Sequence, residues 1–156
     1  IDHFQMSVLI GDRLCTHAGV SSEFLKDVGF WKMDNAEVSM ISDYLNDLFH
    51  YKPNEFTFDG SYDRSNTGII PSYYGDDDWQ SPIWIRPKSL QRVNKKTDLK
   101  KNYIQIVGHT QQDNIDIKGK TTSGKYYYID TLPSGEYLID VNGEFEIGYA
   151  TIVKYI

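Results

Sequence analysis

Cysteine is nearly missing: Cys15 is the only one in the 156 residues. No internal disulfide can form, and the core alone must hold the fold. Long apolar runs are missing too, since none approaches the roughly 20 residues that cross a bilayer. No membrane partner is expected, and the chain reads as a cytoplasmic protein. Positive charge is in short supply, with 16 Lys and Arg against 22 Asp and Glu, a net charge of -6. Lys95-Lys96 and Lys100-Lys101 are too few to build the cationic surface that a phosphate backbone demands, so no nucleic-acid partner is expected. An opening methionine and a charged, apolar leader are also absent before Ile1, which raises the expectation of a fragment or a processed product. The length fits one unit, residues 1–156, able to bury about 70% of its unfolded surface.

What is present alternates between β-prone runs and helical patterns, an α+β class. Met6 to Ile10 and Arg13 to His17 are two strand candidates around Gly11-Asp12, and a Gly-X pair between strands predicts a type II′ hairpin. Ser21 and Ser22 can cap a short helix, and Asp34 with Glu37 three residues on predicts the start of a longer one. Val38, Ile41, Tyr44, Leu45 and Leu48 then recur at helical spacing to about Phe49, one apolar face that covers a sheet. From 51 to 82 the pattern dissolves into Gly, Pro, Asn, Ser and Asp, read as an insertion or long loop. Ser81 to Arg86 is a short apolar strand stopped by Pro87, and Tyr103 to Val107 is another. Tyr126 to Asp130, Glu136 to Val141 and Glu144 to Tyr155 read as a C-terminal β meander. Pro133-Ser134-Gly135 and Asn142-Gly143 supply its turns.

Two apolar runs end in a histidine beside a glycine: Cys15-Thr16-His17-Ala18-Gly19 and Ile106-Val107-Gly108-His109-Thr110. A glycine at a strand end lets the backbone turn sharply or approach a ligand, and two imidazoles delivered there can share a metal ion. One such histidine is ordinarily a hydrogen-bonded structural side chain; two in the same setting set a shared site against that reading. His3 and His50 lack the context, and His50 suits the C-terminal end of the long helix, where the dipole favours a cation. Cys15, two residues before His17, is either packing or a soft ligand, with packing favoured by how often free cysteine is buried. Asp76-Asp77-Asp78 resembles a hard-cation site, but consecutive carboxylates in a polar loop are more often solvated. Arg86, after Trp84-Ile85, is either a structural ion pair or a bidentate clamp on phosphate.

The succession Leu14-Cys15-Thr16-His17-Ala18-Gly19-Val20, Ile83-Trp84-Ile85-Arg86, Ile106-Val107-Gly108-His109-Thr110 and Tyr128-Ile129-Asp130-Thr131 resembles the C-terminal half of calcineurin-like metallophosphoesterases. The likeness is to the serine/threonine protein phosphatase and diadenosine tetraphosphatase branch. It implies the β-rich half of an α/β/β/α sandwich, with strands, covering helices and the meander. It implies that His17 and His109 are ligands of one of two active-site divalent cations, Mn, Fe or Zn, and that Arg86 is the phosphate clamp. Asp130 matches an aspartate to which no role is assigned, and Leu132 stands where many relatives have glycine. The activity implied is hydrolysis of a phosphomonoester, in a phosphoserine or phosphothreonine protein or a small phosphate ester. Two cations about 4 Å apart then polarise the phosphoryl oxygens and make a nucleophile from water.

The family's Asp-x-His, Gly-Asp-x-x-Asp-Arg-Gly and Gly-Asn-His-Glu segments, which supply the other ligands, do not occur. Gly11-Asp12-Arg13 imitates the start of the second but reads as a turn, and Asp2-His3 lacks the residue between. Residues 1–156 therefore read as the C-terminal portion of the domain, partnered by a missing N-terminal half and inactive alone. The alternative is a phosphatase remnant or a β-rich protein-interaction module, for which twelve tyrosines offer surface.

Overall fold

In a computed structural model, residues 4–31, 36–57, 77–94, 104–116 and 126–151 are described. β1 (Ser7–Ile10) and β2 (Arg13–Thr16) form the expected antiparallel hairpin. Gly11 takes φ +61° while Asp12 stays in the ordinary region, the type II′ pattern. β3 (Ile104–Val107) lies parallel to β2, and β4 (Tyr126–Tyr128) parallel to β3, so the sheet runs β1-β2-β3-β4. The crossover from β2 to β3 carries α1 (Ser22–Asp27), α2 (Val38–Tyr51), a 3₁₀ turn at Pro53–Phe56 and α3 (Pro87–Asn94). β5 (Glu136–Val141) and β6 (Glu144–Tyr149) make a separate antiparallel pair. Asn142 and Gly143 between them both have positive φ, as a type I′ turn requires.

Alternation along the strands fixes the layers. Ser7, Leu14, Gln105 and Val107 are buried towards the helices. There Leu14 joins Leu25, Ile41 and Leu45 in one core, and Val107 joins Ile85, Leu90, Tyr126 and Tyr128 in a second. Asn46 of α2 fastens the helix layer to β1, accepting from the Met6 and Ser7 amides at 2.8 and 3.0 Å and donating to the Ser7 carbonyl. On the other face Tyr127 meets Phe145 of β6 with ring centroids 4.5 Å apart. Val8, Cys15 and Ile106 there line a cavity of about 440 Å³ with Leu138 and Phe145.

The α+β class stands, with corrections in detail. β4 is no part of a meander. All three of its tyrosines are buried, and a strand covered on both faces suits a parallel place beside β3 in a layered sheet; of the three expected meander strands, β5 and β6 alone pair as a hairpin. Among the described residues the layers are helices, one four-stranded sheet and that hairpin. The apolar 81–86 segment is a turn rather than a strand: Ile85 is buried for packing, and Pro87 opens α3, where its missing N–H costs nothing. Glu37 precedes α2 without a side-chain cap bond; Asp34 lies outside the described residues, as do His3 and 58–76 of the 51–82 segment. The ends of that segment meet, Ser81 Oγ donating to the Phe56 carbonyl at 3.1 Å. Among the described residues no helix is long and apolar enough to cross a membrane.

Candidate functional site

Parallel pairing of β2 with β3 sets their carboxyl ends side by side, the place where open α/β sheets hold ligands. His17 follows β2 directly, and His109 follows β3 after Gly108. The Gly108 amide donates to the His17 carbonyl at 2.9 Å, carrying the ladder one step beyond the Thr16 and Val107 pair. Nε2 of His17 then stands 2.9 Å from Nδ1 of His109, with ring centroids 4.8 Å apart and planes at 67°. The sharp turn is made by His109 itself, at φ +63°. Gly108 has room for a Cβ at ordinary contact distance from the His17 carbonyl, so Gly19, at φ +104° and packed on Leu90, is the glycine that the site region requires.

Burial lowers the His109 pKa first, the Arg86 and His17 charges lower it further, and Asp130 opposes them. The neutral ring, the form that ligates a cation, is therefore favoured. Its other nitrogen, Nε2, is buried with no hydrogen-bond partner among the described residues, at a cost of about 1–3 kcal/mol. The two ring nitrogens are in direct hydrogen-bond contact at 2.9 Å, one donating to the other, and nitrogens held this close can take adjacent positions on one ion only once the shared proton has left. The residues present thus fit part of a metal shell. Among the described residues no group of three or more His, Cys, Asp or Glu completes it.

Arg86 reaches the same corner, Nη1 donating to Thr110 Oγ1 at 3.3 Å. Its loop is tied to the β2 end by the Ala18 amide, which donates to the Pro82 carbonyl at 2.6 Å. Two residues earlier the Trp84 indole meets the His109 ring edge-on, centroids 6.0 Å apart and planes at 90°. Asp130, after β4, accepts from the Gln112 amide through its carbonyl at 2.8 Å. Trp84 and Thr110 are contributors that sequence reasoning missed. The signal lay in their neighbours in sequence, Trp84 two residues before Arg86 and Thr110 directly after His109.

Among the described residues the other candidates join no ligand group with the pair, although Cys15 lines the same cavity as His17. His50 lies in the last turn of α2 against the Tyr51 ring. Asp78 pairs with Arg92, Asp77 Oδ1 accepts from the Trp79 amide, and Asp76 is outside the described residues. Cys15 is half-buried on the cavity side, and burial pushes its thiol pKa up against the opposing charge of Arg13. A cysteine nucleophile needs the reverse shift.

No family model matches the chain, and no curated protein matches it either. Among solved structures, a mutant cold-active protein tyrosine phosphatase is similar in fold, with 20% identity and a TM-score of 0.53 over 93% of this chain. A second structure, of a cold-active protein tyrosine phosphatase at 1.1 Å, aligns with 16% identity and a TM-score of 0.44 over 92% of this chain. The chain spans 40% of the first solved chain and 41% of the second. At that identity the first likeness shows the fold.

Proposed function

We propose that this chain supplies part of the active site of a calcineurin-like, metal-dependent phosphatase acting on phosphomonoesters, in a phosphoserine or phosphothreonine protein or a small phosphate ester. The observation that carries the reading is the 2.9 Å approach of His17 Nε2 to His109 Nδ1 at the carboxyl ends of adjacent parallel strands. His17 and His109 would hold one divalent cation, Mn, Fe or Zn. The intact site would hold two, with the remaining donors supplied from outside this pair. Bound there, the cations supply Lewis-acid polarisation of phosphoryl oxygens and acidification of water.

The chain's own residues do the rest. Neutral imidazoles bind the cation without adding negative charge that would repel phosphate. Arg86 presents a planar fork of donors to two phosphoryl oxygens, and its charge gains strength as an interaction when negative charge builds there in the transition state. Thr110, accepting from Nη1, holds that fork in place. Chemistry through a cysteine is not supported, since the Cys15 thiol is shifted away from ionisation. The solved structure similar in fold is that of a protein tyrosine phosphatase, which supports the reading of a phosphate-ester hydrolase.

The test is turnover of p-nitrophenyl phosphate by the full-length protein with Mn²⁺. Chelation should abolish it, and Arg86→Ala should weaken phosphate binding by about ten- to a hundredfold, the worth of a charge-assisted hydrogen bond, while bound metal is kept. Turnover that survives chelation contradicts the metal role. Unchanged phosphate affinity in Arg86→Ala makes the arginine a structural partner of Thr110.

A further inference from the structure

Gln105, in β3, is a buried amide on the helix side of the sheet, only 3% exposed. An amide carried out of water must find partners, and this one uses both ends on a single residue. Oε1 accepts from the Val20 amide at 2.8 Å, and Nε2 donates to the Val20 carbonyl at 3.1 Å. The side chain thus pairs with Val20 as the backbone of a neighbouring strand would. Val20 lies three residues after His17, and the chain between is held at each step. The His17 carbonyl accepts from the Gly108 amide at 2.9 Å, and the Ala18 amide donates to the Pro82 carbonyl at 2.6 Å. The Gly19 amide donates to Thr16 Oγ1 at 3.0 Å. Two of these ties come from one place: Gly108 directly follows β3 and Gln105 lies within it. The strand that delivers His109 therefore grips both ends of the turn that begins at His17.

We propose that Gln105 is a positioning residue, which through Val20 sets the turn after His17 against β3 and so fixes the approach of the His17 ring to that of His109 for holding one cation; this rests on the metal-site reading. Groups that orient a ligand without touching the ion govern its affinity strongly, because a ring free to wander must be ordered again on binding.

The experiment is a Mn²⁺ titration of the full-length protein, with unfolding in urea of the metal-free form measured beside it. Gln105→Met keeps the length of the side chain and removes both bonds, and should raise the Mn²⁺ Kd about tenfold. Leu48→Ala, a core truncation in the last turn of α2, should lower stability and leave the Kd unchanged. If Gln105→Met does not fold, Gln105→Glu takes its place, keeping the acceptor and giving up the donor, and should raise the Kd as well. A Gln105 variant that loses stability but keeps the wild-type Kd overturns the inference and leaves the metal-site reading intact, as does equal weakening by Leu48→Ala. A wild-type protein that binds no Mn²⁺ overturns the two together.

Discussion

His109 bears two costs at once, a left-handed backbone at φ +63° and a buried Nε2 without a partner among the described residues. Costs of this kind gather at functional sites, where the surrounding structure holds them in place. Because glycine tolerates that φ and alanine does not, His109→Gly should be more stable than His109→Ala by about 1 kcal/mol in urea unfolding. Equal stability would show the backbone to be unstrained. Gly19 gives the converse case. A Cβ there would lie 2.3 Å from Leu90 Cδ2 and 3.2 Å from Val107 Cγ1, at φ +104°. Gly19→Ala should therefore cost about 2 kcal/mol or more by the same assay; a neutral result would mean that Leu90 moves freely. The histidine pair was legible from residues because each histidine follows a β-rich run beside a glycine. The identity of the strained residue was not, since φ at a strand end depends on where the partner ring must go.

Among elements, the legible ones are those set by neighbours in sequence. Gly11 and Asn142-Gly143 dictate their turns, and Ser21 caps α1 by accepting from the Phe24 amide. The 81–86 segment misleads because its apolar residues are spent on burial rather than on strand pairing. β4 misleads because tyrosines on both of its faces are satisfied only by layers that come from distant sequence. The β5–β6 hairpin is held to the sheet by Arg13, whose guanidinium lies 4.5 Å from the Phe145 ring centroid, donates to the Gly143 carbonyl and stands 3.4 Å from Asp140. Arg13→Met should cost about 1–2 kcal/mol. Amide exchange should accelerate in the hairpin while β2 and β3 keep their protection; uniform acceleration would mean that Arg13 supports the sheet itself.

At the scale of the molecule, three strand ends and the loop before α3 bring His17, His109, Asp130, Trp84 and Arg86 to one corner, above a sheet packed on both faces. The chain shares its fold with 40% of one solved chain, and the two imidazoles meet at that corner at 2.9 Å. The central claim is that His17 and His109 share a single divalent cation. Its most direct measurement is the bound-metal content of the full-length protein and of His17→Ala, His109→Ala and the double variant, by elemental analysis after Mn²⁺ loading. Shared ligation predicts that each single variant loses one equivalent, and that the double variant loses no more than either. Full metal content in both single variants, or losses that add in the double variant, would contradict it.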